Sequence, residues 1–222
     1  MTMGGLPRVI ALHGKKRSGK GSVASRLAAA HGYEIVRFAD PLKDMLRVLL
    51  AACGLDDETV ERCIEGDLKQ APIDFLDGAT TRQCMQAFDK WRSMVCDPMW
   101  IRIALRRVDA ILESGGRAVV EDLRLPGELA AMEEIGASLW LVSNPKAEAE
   151  AAADAHVTER GLPEAAFRVR LVNDGSFADL HAQVDAAVAC PDCVGARIVG
   201  RSGAPLACGN PDQGAQGCRA AV

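Results

Sequence analysis

The apolar positions gather into short runs separated by longer stretches of helical period. "RVIAL", residues 8–12, is β-branched and aliphatic and stops at His13-Gly14, as a buried strand does. Four more runs share this character: "YEIVRFA" at 33–39, "RAVVEDLRL" at 117–125, "SLWLVS" at 138–143 and "RVRLVNDG" at 168–175. Between them lie helix patterns. One runs from about Lys20 to Ala30 and stops near Gly32. "PLKDMLRVLLAAC" follows Asp40, the expected N-cap, with Pro41 suited to the first turn. "TTRQCMQAFDKWRSMV" reads as a helix capped near Thr80, and "DPMWIRIALRRVDAILESGG" as a longer one with a Gly115-Gly116 stop. "PGELAAMEEIGA" and "SFADLHAQVDAAV" complete the set.

Two stretches break the rhythm. Residues 55–79 are polar and interrupted by Gly66, Pro72 and Gly78, which predicts a short helix and a surface loop. Residues 144–167, rich in Ala and Glu, predict a mobile flap. Strands alternating with helices imply an α/β fold, a parallel sheet with helices on both faces in three layers. No internal repeat is visible. The composition changes at Cys190. Residues 1–189 therefore read as one domain, and the Gly-, Pro- and Cys-rich residues 190–222 as an appended tail.

The charge balance, 26 cations against 30 anions, argues against a protein that mainly coats nucleic acid. There is no apolar run long enough for a bilayer and no leader peptide, so the expected location is the cytoplasm, with no membrane partner. Cys53, Cys63, Cys84 and Cys96 are expected to be free thiols in that reducing compartment.

One stretch carries chemistry. "GKKRSGKGS", residues 14–22, follows the first strand and opens the first helix. Gly14 and Gly19 allow the backbone to curl. The helix N-terminus adds roughly half a positive charge at the same spot, and Lys20 can reach back over the loop. Such a cup fits the di- or triphosphate of a nucleotide. In the usual G-x-x-x-x-G-K-[ST] loop a hydroxyl follows the lysine; here that slot is Gly21 and the hydroxyl comes at Ser22. The chain has no guanine-reading N-K-x-D. The ATP-binding candidates are Gly14, Lys15, Lys16, Arg17, Ser18, Gly19, Lys20, Gly21 and Ser22.

Taken in order, "GKKRSGKGSVA", "FADPLKDML", "TTRQCMQAF", "DPMWIRIAL", "VVEDLRLPGE", "DAHVTERGLP" and "LVNDGSFADL" make the chain resemble the deoxynucleoside monophosphate kinases of tailed bacteriophages. The resemblance covers about residues 8–188. It implies a P-loop kinase fold and transfer of the γ-phosphoryl of ATP, with Mg2+, to a deoxynucleoside monophosphate. The chain departs from the family's usual pattern at Gly21-Ser22, at Asp89-Lys90 and at Leu125-Pro126-Gly127-Glu128. Asp89-Lys90 lies where the family contacts its substrate.

Phosphoryl transfer asks for positioning and charge neutralisation. Lys20 is the candidate for the β- and γ-phosphates. Lys16 and Arg17 could clamp either donor or acceptor phosphate. The resemblance supports an acceptor role for Lys43. Arg82 can fork onto a monophosphate, Gln83 and Gln86 could read the base or orient Arg82, and Trp100 could flank the nucleoside or belong to the core. Asp122 ends an apolar strand, a usual place for a carboxylate that holds magnesium through water. Arg124 would point the same way if the strand continues, and there could neutralise transition-state charge. His156 and Glu159 belong to the family motif without an assigned role; Arg160, Arg168 and Arg170 are candidates for the flap.

In the tail, Cys190-Pro-Asp-Cys193 has the knuckle spacing of zinc ribbons, while Cys208 and Cys218 stand ten positions apart. Structural Zn2+, a loose tail and disulfides all remain open. So do two other functions: a different small-molecule P-loop kinase, such as one acting on dephospho-coenzyme A, and an ATP-binding regulator whose tail contacts nucleic acid. A homodimer is compatible with the sequence.

Overall fold

Strands β1 (Val9–His13), β2 (Tyr33–Val36), β3 (Arg117–Leu123), β4 (Ser138–Ser143) and β5 (Val169–Val172) form one parallel sheet in the order β2–β3–β1–β4–β5. Every pairing is parallel. The computed structural model describes residues 6–153 and 162–189. These fall into two units: one holds the sheet, from 6–36, 107–153 and 162–189, and the other is Arg37–Arg106.

In the sheet unit, α1 (Lys20–His31) and α8 (Phe177–Ala189) pack together on one face. Ile10, Leu12, Val119, Trp140, Val142 and Leu171 from the strands meet Val23, Leu27, Leu180 and Val184 from the helices. Each such side chain contributes about 1.5–3 kcal/mol when fully buried. Val9, Ala11, Ala118, Val120 and Leu139 are buried too, so the sheet is covered on both faces. That is why its strands read as nearly continuous apolar runs. α1 ends as its sequence predicts, with Gly32 in the left-handed region (φ 67°) and its N–H turned back to Ala28 and Leu27. Arg26 forks onto Asp185 of α8 at 2.9 and 2.5 Å, and His31 Nε2 lies 2.8 Å from the same carboxylate. The Arg26 hydrogen bonds hold the Asp185 carboxyl below its usual range.

The loop after β1 stands where the strand order reverses, at the carboxyl ends of the strands. Open α/β sheets bind their ligands there. β3 has an irregularity at that end. Ala11 pairs with Val120 and His13 with Leu123, so Glu121 and Asp122 both stand opposite Leu12.

The helical unit contains α2 (Asp40–Ala52), α3 (Asp57–Ile64), 3-10 turns at Asp67–Gln70 and Asp74–Leu76, and α4 (Thr81–Val95). The boundary at Arg106 falls inside α5 (Met99–Glu113). α2 packs on α3 and α4. Leu42, Leu46 and Leu50 form its buried stripe at four-residue spacing, and Val60, Cys63 and Ile64 are buried on α3. Ion pairs tie α2 to α3 and to the residue that follows it: Arg47 to Glu61 at 2.6 Å, and Lys43 to Glu65 at 2.6 Å. Buried Arg92 of α4 reaches Asp89 at 3.0 Å and Asp97 at 2.7 Å. Cys53, Cys63, Cys84 and Cys96 are free thiols.

Three local expectations change. Asp40 is the first residue of α2 rather than its cap, because the chain is already helical at Ala39 (φ −81°, ψ −10°); its carboxylate still suits the first turn. Part of the expected flap is helix: α7 spans Pro145–Ala153, as its Ala- and Glu-rich composition favours. Residues 154–161, with His156, Glu159 and Arg160, lie outside the described residues. Arg170 belongs to β5 and pairs with Glu164 at 2.7 Å, and the Arg168 N–H bonds the Leu139 carbonyl, so both belong to the sheet rather than to a flap.

Candidate active site

The loop joining β1 to α1 is curled by positions that only glycine fits. A Cβ on Gly14 would stand 2.1 Å from the Val142 carbonyl oxygen, and one on Gly19 (φ 106°) would stand 2.7 Å from Asn173 Nδ2. Arg17 also lies in the left-handed region (φ 63°), a conformation that costs a non-glycine residue about 1–3 kcal/mol. Lys20 folds back over the loop and donates to the carbonyls of Gly14 and Lys15, the latter at 2.8 Å. Lys15, Lys16 and Arg17 are exposed. Ser18 is buried, and its Oγ, beside Gly14, has no hydrogen-bond partner. Orphaned hydroxyls in a closed loop are costly unless a ligand or water meets them.

Residues that the sequence did not single out hold this loop. Asn173, just after β5, donates from Nδ2 to the Ser18 carbonyl at 3.1 Å. Carbonyl and following N–H point opposite ways across a trans peptide, so this bond turns the Gly19 N–H away from Asn173. Asn144, just after β4, accepts the N–H groups of Lys146 and Ala147 at 3.1 Å each, which caps α7 and aims its Nδ2 at the Arg17 carbonyl 3.5 Å away. At the loop's root, His13 Nδ1 donates to the Leu123 carbonyl at 2.9 Å while its ring stacks on Phe167 at 5.0 Å. The available sequence signal was weak: polar residues immediately after parallel strands.

The displaced hydroxyl, Ser22, lies 2.9 Å from His181 Nε2 of α8. It is therefore engaged by the protein rather than turned freely toward a phosphate. The slot before it, Gly21, is bordered by Glu121, whose Oε1 would stand 3.3 Å from a Cβ at Gly21.

At the end of β3, Asp122 stays in the strand but Arg124 does not. The strand stops at Leu123 and α6 (Pro126–Glu134) begins at once, so the expected shared direction of Asp122 and Arg124 does not arise from strand alternation. The turn is held by Glu128, which accepts the N–H groups of Arg124 at 2.7 Å and Leu125 at 2.8 Å. Burial pushes the Glu128 carboxyl above its usual range against the pull of those two bonds. Arg124 itself is exposed.

The other predicted residues belong to the helical unit. Lys43 is paired with Glu65. Arg82 and Gln86 are exposed on the first turns of α4, one helical turn apart. Gln83 serves the backbone. Its Oε1 accepts the Thr80 N–H at 2.8 Å, and the Thr80 hydroxyl accepts the Gln83 N–H at 3.2 Å, a reciprocal capping box. Trp100 is buried with Nε1 unpartnered, as is the Thr81 hydroxyl. Cys190, Cys193, Cys208 and Cys218 lie outside the described residues. Among the described residues no group of three or more His, Cys, Asp or Glu side chains is arranged to hold a metal ion, and no helix is long and apolar enough to cross a membrane.

A family model for deoxynucleotide monophosphate kinase matches residues 53–184, more than half of the chain. The match begins after the phosphate loop, so the loop is independent of it. Solved structures with a similar layout include the Thermus thermophilus protein TT1252 (20% identity, 83% of this chain and 97% of that one, TM-score 0.40). Others are a sugar kinase from Janibacter sp. HTCC2649 (13%, 84% and 95%, 0.43) and dephospho-CoA kinase from Campylobacter jejuni (11%, 80% and 94%, 0.41). No curated protein matches the chain.

Proposed function

We infer the roles of individual residues from one premise: the chain belongs to the deoxynucleotide monophosphate kinase family. It is a phosphotransferase that phosphorylates a deoxynucleoside monophosphate. The donor we propose is ATP, bound by Gly14 to Ser22. The observation that carries this is Lys20 anchored on the carbonyls of Gly14 and Lys15 across a loop that admits no Cβ at Gly14 or Gly19. Lys20 neutralises charge on the β- and γ-phosphates, and the preorganised loop costs no rearrangement as that charge moves. Lys15, Lys16 and Arg17 extend the positive rim.

Magnesium, when bound, supplies charge neutralisation between the phosphates. The hard oxygen donors Glu121 and Asp122 at the end of β3 suit it, since Mg2+ is commonly held by one or two carboxylates plus substrate phosphates. Arg124, with its backbone fixed by Glu128, is the candidate to meet the transferring group.

For the acceptor, Arg82 is the main candidate, because it is an exposed guanidinium on the first turn of α4 with no ion pair among the described residues. Gln86 shares its face. Lys43 would serve only by sharing its charge with Glu65. The unpartnered Trp100 Nε1 and Thr81 hydroxyl are polar groups that a bound nucleoside could satisfy. We place the reaction in the cytoplasm, that of the host for a phage-encoded chain; the four free thiols support a reducing compartment.

The test is ADP release from ATP and Mg2+ against a panel of deoxy- and ribonucleoside monophosphates, with dephospho-coenzyme A included. Turnover with at least one deoxynucleoside monophosphate and none with dephospho-coenzyme A is expected. The reverse pattern, or ATP binding with no acceptor at all, overturns the assignment.

A further inference from the structure

Arg124 stands one residue past β3 with an exposed side chain, and α6 begins at Pro126, so only Arg124 and Leu125 join the two elements. The N-cap of α6 is Leu125, whose side chain has no oxygen with which to cap. The acceptor comes instead from within the helix: Glu128 Oε2 takes the N–H groups of Arg124 at 2.7 Å and Leu125 at 2.8 Å. Those bonds hold the peptide that follows Arg124 and one edge of the peptide that precedes it.

The other edge of the preceding peptide is the Leu123 carbonyl, which accepts from His13 Nδ1 at 2.9 Å. A carbonyl cannot donate, so Nδ1 carries the proton. Across a trans peptide the carbonyl and the following N–H point opposite ways, and among the described residues no peptide is cis. His13 and Glu128 therefore grip one peptide from its two edges and stop it from turning about the chain axis. The His13 ring is itself held. It stacks on buried Phe167, with centroids 5.0 Å apart and planes within 14° of parallel. Its backbone ends β1 opposite Leu123, immediately before Gly14 of the phosphate loop.

We propose that His13 is a positioning residue for phosphoryl transfer: by holding the Leu123 carbonyl it fixes the peptide that leads into Arg124 and ties that residue to the root of the phosphate loop. The end of β1 thereby sets both parts of the donor site, the loop through Gly14 and Arg124 through Leu123. This rests on the role given to Arg124 above, and Arg124→Ala tests that role by itself.

The experiment is a double-mutant cycle on the full chain, read as kcat and KM at saturating ATP and Mg2+ with a deoxynucleoside monophosphate, with calorimetry for ATP and a thermal melt of each variant. Arg124→Ala should cost about 10²–10³ in kcat, as loss of one preorganised electrostatic group does. His13→Phe keeps a ring against Phe167 but has no donor. Its kcat should fall about tenfold, within the roughly 100-fold that a misplacement of about 1 Å can cost, while ATP affinity and acceptor KM hold. His13→Asn should recover much of that kcat, because its amide nitrogen stands as many bonds from Cβ as Nδ1 does. In the Arg124→Ala background, His13→Phe should cost nothing further. If His13→Phe is unstable, the same cycle with His13→Ala reads the same coupling. Equal losses from the His13 substitution with and without the Arg124 side chain overturn the proposal and leave the role of Arg124 standing. A fall in ATP affinity that matches the fall in kcat does the same, since His13 would then act on the phosphate loop. An Arg124→Ala protein with full kcat overturns the role of Arg124 and the proposal together.

Discussion

In the proposed roles the sheet unit would hold charge with backbone and with one lysine that bonds its own loop; the helical unit offers long side chains, several of which already have partners. In the first, Lys20, Asn173 and Asn144 bond the carbonyls of Gly14, Lys15, Arg17 and Ser18 in a single nine-residue motif, 14–22. In the second, Lys43 is tied to Glu65 and Gln83 caps α4, while Arg82 and Gln86 stand exposed at its start. A backbone cradle suits a ligand part common to all donors, the polyphosphate. Side chains suit the part that varies, the acceptor, because they can be exchanged without refolding a loop.

The sharpest way to break this contrast is Lys20→Ala. Removing one preorganised electrostatic stabiliser costs about 10²–10³ in turnover. The apo melting temperature should barely move, since the bonds from Lys20 to Gly14 and Lys15 lie within its own loop. Retention of more than about half the activity at saturating ATP would remove Lys20 from the chemistry.

Arg82→Ala should follow, on the acceptor side alone. A hydrogen bond to a charged group is worth about 1.5–3 kcal/mol, so roughly 10- to 150-fold in acceptor kcat/KM. ATP affinity by calorimetry should stay unchanged. A large loss of ATP affinity with intact acceptor kinetics would move Arg82 to the donor side and erase the contrast.

Asn173→Ala is the smallest and most discriminating change. It removes one neutral hydrogen bond, worth about 0.5–1.5 kcal/mol, so the ATP KM should rise roughly 2- to 10-fold while the acceptor KM holds. Equal changes in both constants would mean that Asn173 supports the sheet rather than the cradle.

Element types and order were legible in the sequence because they depend on local period and on Gly and Pro punctuation: all five strands, and the flanking helices apart from α7, appear where the pattern puts them. The phosphate loop was legible because its parts are contiguous. Boundaries set by neighbouring backbone were less so, as at Ala39 and Leu123. What lay beyond the sequence is what distant segments do to each other. Glu121 reads as a strand residue until the unequal pairing of β1 and β3 turns it toward Gly21, 100 positions away in the chain. Ser22 reads as a hydroxyl without a protein partner until α8 brings His181 within 2.9 Å of it. Composition and period determined that this chain folds as a parallel α/β protein with a nucleotide loop. Only the packing of strands about 100 residues apart decided which oxygen faces that loop, because side-chain direction at a bulge is set by the partner strand and not by the residue itself.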